Sequence, residues 1–247
     1  MYEAGLTARK VLEFDTKLFD TYRIYESTID WEAIGKKGNP IYRRVDGTYL
    51  IYLPTSESRT AGFANLTQGY DNTKIDYLWN VILKRPLEHI AKKLGIEDPV
   101  IVQADIARMP PGGDTLLHTD TRYQQRYSRR YNIAISTNEE CWLYHYGYDL
   151  EKGGTRDHIN EGEVWELNNK IIHTAVNRGT TWRTHIIIDV MPRNYYDRMC
   201  EVCDPFARVP NPQDSNHTYD YDLEGNLLDQ EPLFTDLPHC FPARTHI

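Results

Sequence analysis

The chain has 247 residues, 40% of them hydrophobic and 26% charged, with a formal net charge of −8. That length can bury a sizeable core, as one large β domain or two small ones, and the acidic balance argues against general nucleic-acid binding, which needs a basic face. No apolar run approaches the roughly 18 residues of a membrane span, residues 1–10 lack the apolar centre of a signal peptide, and four cysteines do not make a disulfide scaffold. The expectation is a cytoplasmic protein with no membrane association.

Residues 1 to about 70 are mixed in character; within them Thr48–Leu53 reads as a strand closed by Pro54. The clearest helix runs over residues 75–94. Ile75, Leu78, Trp79, Ile82, Leu83, Leu87, Ile90 and Leu94 fall on one stripe and Gly95 follows as a stop. Such a stripe is core packing, and Pro86 within it predicts a kink or a break. From Pro99 the pattern changes to strands: Val100–Met109, then a Pro-Pro-Gly-Gly turn, Thr115–Asp120, Tyr131–Thr137, Cys141–Tyr146, Glu163–Leu167, Lys170–Asn177 and Trp182–Val190. Short strands with regular turns predict a mainly β protein with flanking helices. A double-stranded β-helix core of jelly-roll or cupin type would bring residues as distant as 118 and 173 together in a barrel mouth. The expected organisation is one domain over 1–192, with a helical or mixed part at 1–98 and the β core at 99–192. Residues 193–247, proline-rich and without periodicity, are expected to form an extended arm packing on the domain.

The informative constellation is His118-Thr-Asp120, followed far downstream by His173 and Arg183. Two imidazoles and one carboxylate form the facial triad of non-haem Fe(II), with positions left open for a co-substrate and O2. His118 and Asp120 leave one face of an extended chain. If Asn177 pairs with Thr181 across the Arg178-Gly-Thr turn, then His173 faces His185 and Arg183 is its diagonal neighbour, roughly 7–8 Å away. That gap suits a five-carbon diacid held at a metal by one end and by a planar guanidinium at the other.

Several blocks together resemble a known family. His118-Thr-Asp120, Arg130-Tyr-Asn-Ile-Ala-Ile135, Gly162 through His173, Asn177 and Arg183 through Asp189 are similar in order and spacing to the aspartyl/asparaginyl β-hydroxylases, a family of 2-oxoglutarate- and Fe(II)-dependent oxygenases that extends to free-amino-acid hydroxylases such as those of proline. The resemblance covers roughly residues 100–192. It implies Fe(II), 2-oxoglutarate and O2, with succinate and CO2 released as a C–H bond of an amino acid, free or in a peptide or protein, is hydroxylated. By position it implies His118, Asp120 and His173 as the catalytic iron ligands, Arg183 on the distal carboxylate of 2-oxoglutarate, and Arg130 as a second arginine on the co-substrate. Asn132 stands where the β-hydroxylase proper has a histidine touching the co-substrate. Asp105 and Ala107 stand where it has a lysine and a serine.

Other readings stay beside this one. The same cofactors serve desaturation or ring chemistry, and a cupin-like module could hold a metal or an organic acid without redox turnover. Arg122, Arg126, Arg129 and Arg130 crowd one stretch; Arg122 and Arg129 read as solvated loop, whereas Arg126 is a candidate for an anionic substrate. His185 reads as a hydrogen-bonded sheet histidine, and Tyr144, His145 and Tyr146 as cleft-lining or packing residues. Cys200, Cys203, His239 and Cys240 could supply a tetrahedral zinc site, but the second pair is adjacent rather than spaced, and free thiols fit better. The substrate and the oligomeric state have no motif.

Overall fold

A computed structural model of the chain describes residues 7–31, 42–45, 48–53, 55, 72–115, 117, 118, 120, 128–147 and 154–202. Two antiparallel sheets face each other. The large one takes β1 (Ala8–Glu13), β2 (Tyr42–Val45), β3 (Thr48–Leu53), β4 (Pro99–Met109), β5 (Arg129–Ser136), β8 (Glu163–Leu167) and β10 (Arg183–Pro192) in the order β1-β8-β5-β10-β4-β3-β2. The small one takes β6 (Cys141–Gly147), β7 (Thr155–Asp157) and β9 (Ile172–Asn177) in the order β7-β6-β9. Asp114, His118 and Asp120 extend its β9 edge. Asp114 and His118 bridge to Val176 and His173, and the Asp120 amide donates to the Asn169 carbonyl at 3.0 Å. This is the double-stranded β-helix expected, with strands from residues 8–53 added to the large sheet.

β10 shows why the chain folds this way. It lies centrally, paired with both β4 and β5, and is apolar enough to be buried on both faces. Ile186, Ile188 and Val190 point outward with Tyr131, Ile133, Ile106 and Ile51 into a core closed by helices, all of them at most 1% exposed. Arg183 and His185 alternate with that row along the strand, and face the other sheet with Met109, Ala134, Leu143 and Ala175.

The covering helices are α1 (Asp20–Glu26), which follows a single 3-10 turn whose Lys17 amide is capped by Asp15 at 3.0 Å, and a longer helical run further on. That run begins as α2 (Asn72–Tyr77), widens into a π-helical stretch at Leu78–Leu83, and continues as α3 (Lys84–Lys93). The Lys84 amide donates to the Trp79 carbonyl, five residues back. Pro86 therefore does not break the helix. Its ring would meet the carbonyl of Ile82, four residues earlier, and that carbonyl lies in the wider π turn. Leu78, Trp79, Ile82, Leu83, Leu87 and Ile90 all enter the core, as the stripe predicts.

The arm expected from residue 193 begins as a helix instead. α4 (Arg193–Val202) contains neither proline nor glycine, and Tyr196 packs on Val100, Val102 and Met191. Pro192 stands just before its first turn, where a missing N–H is tolerated. Residues 203–247, with Cys203, His239 and Cys240, lie outside the described residues, and so does the Cys200 side chain.

Leu87→Ala removes a side chain with no exposed surface from the helix–sheet core. It should cost about 2–5 kcal/mol, read as a lower urea midpoint with an unchanged slope.

Candidate active site between the two sheets

His118 and His173 exchange backbone hydrogen bonds of 3.1 and 3.0 Å. Directly paired residues share a face, so both imidazoles leave the small sheet on one side, with ring centroids 4.4 Å apart. His173 Nδ1 lies 2.9 Å from the Ile171 carbonyl. A carbonyl only accepts, so the proton sits on Nδ1 and the Nε2 lone pair is left for a ligand. Burial, and then the neighbouring His118, push the His173 imidazole down to about 3; it is neutral near pH 7, as a metal ligand must be.

Asp120 meets an arginine. Its Oδ2 is 2.5 Å from Arg130 Nη1 but out of line for a hydrogen bond, so the contact is an ion pair. Arg130 in turn donates from Nε and Nη2 to the two oxygens of Asp189, both at 2.8 Å. Burial alone would raise the Asp120 carboxyl; Arg130 and both imidazoles outweigh it and hold the group at about 2. Burial likewise opposes the charge on Arg130, and Asp120 and Asp189 more than offset it, holding the guanidinium above its ordinary range.

Two imidazoles beside one ionised carboxylate are the donor set of a 2-His-1-carboxylate iron site. Among the described residues no three His, Cys, Asp or Glu side chains are drawn together tightly enough to close on a metal as they stand. The donor chemistry fits nonetheless: the carboxylate leans on Arg130 while remaining within the field of both imidazoles.

Arg183 is the second buried cation, 5% exposed. Its Nη2 donates to His185 Nδ1 at 2.7 Å, and among the described residues it has no carboxylate partner. Burial pulls it down to about 10, which leaves it charged near pH 7. His185 accepts at Nδ1, so its proton sits on Nε2, a buried atom with no partner among the described residues. Burial, followed by Arg183, pushes this imidazole well below its ordinary value. Asn177 fixes the turn leading to Arg183: its Nδ2 donates to the carbonyls of Met109, Pro110 and Thr181 at 3.2, 3.1 and 2.8 Å. Within that turn a Cβ on Gly179 would stand 2.1 Å from Asn138 Oδ1, so any larger residue would have to displace the Asn138 side chain.

One expectation is overturned. β9 and β10 do not pair; β9 pairs with β6, so His145 and not His185 lies opposite His173. The Asn177–Thr181 contact is made by a side chain, and the turn crosses from one sheet to the other. His173 and Arg183 therefore belong to facing walls rather than to one sheet surface. β10 takes the central place in the large sheet, where helices cover its apolar face and the small sheet covers the face that carries Arg183, His185 and Asp189. Arg130, expected on the co-substrate, meets carboxylates through Nε and both Nη nitrogens. Arg129 is no solvated loop residue: it opens β5 and pairs with Glu166, 1% exposed, which also holds Arg9 of β1 at 2.7 Å. Asn132 lies between Arg130 and Ala134 on the inner side of β5, 4% exposed. Asp189 was not singled out as a site residue, although its even spacing from Arg183 along a strand places it on the same side. Arg122 and Arg126 lie outside the described residues.

The neutral imidazoles set a pH dependence. His145, which burial pushes to about 4, and His173, at about 3, compare with an ordinary value of 6.5. Below 6.5 the unfolded chain takes up protons that the folded chain refuses, so stability falls as pH falls, until the folded values are reached. The metal-free protein should lose on the order of 2 kcal/mol per such histidine between about pH 7 and about pH 5. Urea midpoints across that range check this, and a flat profile contradicts the buried neutral assignment. Asp189→Asn should cost about 3–5 kcal/mol by stripping a buried partner from Arg130, measured by the same titration.

Residues 85–192 match the profile of the family described as aspartyl/asparaginyl beta-hydroxylase. No curated protein matches the chain significantly. Among solved structures, a 2OG-Fe(II) oxygenase family oxidoreductase from Burkholderia pseudomallei is similar at 11% identity, covering 76% of this chain and 85% of that one with a TM-score of 0.43. A Pseudomonas putida prolyl-4-hydroxylase is similar at 13% identity over 77% and 95% of the two chains, TM-score 0.42. A viral collagen prolyl hydroxylase from Paramecium Bursaria Chlorella virus-1 is similar at 12% identity over 76% and 97%, TM-score 0.40. The matched segment holds both imidazoles, the carboxylate and both buried arginines, and over it the chain is similar to the aspartyl/asparaginyl beta-hydroxylases.

Proposed function

We propose that the chain hydroxylates a C–H bond of an amino acid, free or within a peptide or protein, with His118, Asp120 and His173 holding Fe(II) and Arg183 gripping the distal carboxylate of 2-oxoglutarate. One observation carries most of this reading. Arg183 is a buried guanidinium with no carboxylate partner among the described residues, on an inner wall facing the imidazole pair. A buried unpaired cation is costly, and a dicarboxylate that reaches it from the metal offsets that cost. Bound iron would supply the activation of O2 and the oxidising power for C–H cleavage.

The protein's own residues do the rest. The Ile171 carbonyl keeps the proton of His173 on Nδ1 and its Nε2 turned to the ligand side. Arg130 holds Asp120 ionised and limits its rotation. His185 accepts from Arg183 and so steadies the fork that receives a carboxylate, to which its own Nε2–H is a further donor. Met109, Ala134, Leu143 and Ala175 keep the space between the sheets apolar, which strengthens every charged contact within it.

Fe(II) and 2-oxoglutarate added without oxygen should give a weak visible charge-transfer band, and in air succinate should form together with a product heavier by one oxygen. A non-redox binding module gives neither. Arg183→Ala should raise the 2-oxoglutarate requirement by roughly tenfold to a hundredfold, the worth of one charged hydrogen-bonded contact, while iron binding is spared. Equal loss of both would remove Arg183 from its role. His173→Ala should lose iron itself, measured as metal content after gel filtration.

A further inference from the structure

His145 has no part in the scheme above, yet it is the third imidazole of the small sheet's inner wall. It pairs with His173 across β6 and β9, the two rings lie 6.5 Å apart and only 29° from parallel, and the residue is 1% exposed. Leu143, two positions before it on the same face, packs between the sheets. Neither ring nitrogen of His145 has a hydrogen-bond partner among the described residues. A buried group left so costs about 1–3 kcal/mol, and positions of this kind call for an explanation. Asp157 Oδ2 stands 3.7 Å from Nε2, too far to bond. Its negative charge still favours a proton on Nε2, the nitrogen facing it. That leaves Nδ1 as a bare acceptor, buried beside His173.

We infer that His145 Nδ1 accepts a hydrogen bond from an N–H of the substrate, an amine or amide nitrogen held next to the metal-binding imidazole. This rests on the reading given above and sharpens it. An acceptor cannot serve a carboxylate, so the contact selects for the nitrogen end of an amino acid or for a peptide bond. His145 would thus be a specificity-determining residue that touches substrate and leaves the co-substrate to Arg183.

The test uses the full chain loaded with Zn(II) in place of iron, plus 2-oxoglutarate, so that nothing turns over, with its histidine nitrogens isotopically labelled for NMR. The probes are the protein amino acids, each as the free acid, as the N-acetyl methylamide, and as the des-amino acid, which has no donor at the α carbon. At least one nitrogen-bearing probe should shift the His145 Nδ1 resonance and its des-amino counterpart should not; the free acid and the capped form separate an amine from an amide. His145→Phe should bind that probe about tenfold more weakly or worse, keeping the anaerobic Fe(II)–2-oxoglutarate band, and His145→Gln, whose carbonyl can accept, should recover part of the loss. The inference is overturned if no probe moves Nδ1, if the des-amino acids move it equally, or if His145→Phe binds as tightly as the parent. Should the Phe variant fail to fold, the resonance and the Gln variant still decide. The parent's charge-transfer band tests the co-substrate reading separately, so a present band with a silent Nδ1 sinks only the role of His145.

Discussion

The Asp120–Arg130–Asp189 triad ties the two sheets together at the site. Asp120 lies on the segment that extends the small sheet, Arg130 and Asp189 on adjacent central strands of the large one, paired directly with each other. Each ion costs several kcal/mol to bury, and the cost is tolerable because each meets an opposite charge. The consequence is positional. A carboxylate meant for a metal would wander among rotamers if it were held by water, whereas one pinned by a guanidinium that is itself held in a two-pronged grip has little freedom left. Coupling the sheets and fixing a ligand are here the same contact.

The two buried arginines make a contrast that explains the polarity of the site. Arg130 has two carboxylates for one charge, and Arg183 has none among the described residues, only the lone pair of His185. Burial accordingly lowers Arg183 while the carboxylates lift Arg130 despite burial. A protein built for stability alone would not leave a guanidinium in the interior without an anion. The imbalance is sustained by the rest of the fold: Asn177 locks the turn that delivers Arg183, and the helix-covered face of β10 fixes the strand whose other face carries it. The same logic separates His173, whose Nδ1 is satisfied by a backbone carbonyl, from His145, whose nitrogens are not. The proposed function gives the first imidazole to a metal, and the inferred role leaves the second for a donor.

Strand and helix positions in residues 99–192 were legible because their apolar periodicities are strong. The stripe from Ile75 to Leu94 could only be a covering helix, and the β10 run could only be a fully buried strand. The site residues were legible as types at intervals, since imidazole and carboxylate two residues apart on an extended chain have few other uses. What could not be read was which strands pair. A short turn between two strands looks the same whether they form a hairpin or cross between sheets, and the difference lies in long-range pairing with β6, β4 and β5. The π-helical widening before Pro86 and the helix after Pro192 were hidden for a similar reason: each depends on space or on a surface, that of Val100 and Val102 for α4, which no local pattern records. Strands β1, β2 and β7 carry too little periodicity to stand out alone. They exist because a neighbour offers an edge, as β8 does for β1 through the buried Glu166 that draws in Arg9.

The crossing between β9 and β10 also bears on how such a site accepts a co-substrate. Were His173 and Arg183 neighbours on one sheet, their separation would be set by the fixed spacing of strands, and the diacid would have to lie flat along a surface open to water on one side. With the two residues on facing walls, a diacid held as proposed would instead span the gap between the sheets. The separation is then governed by how closely the sheets pack, which is the business of Met109, Ala134, Leu143, Leu167 and Ala175. These small and medium apolar residues act as spacers. Under the proposed function, enlarging Ala134 or Ala175 would thrust the walls apart or fill the space at the expense of the co-substrate before the metal, since the three proposed ligands sit together on the small sheet's side. On that reading core packing and co-substrate length are matched to each other, and the apolar residues between the sheets serve recognition as well as stability.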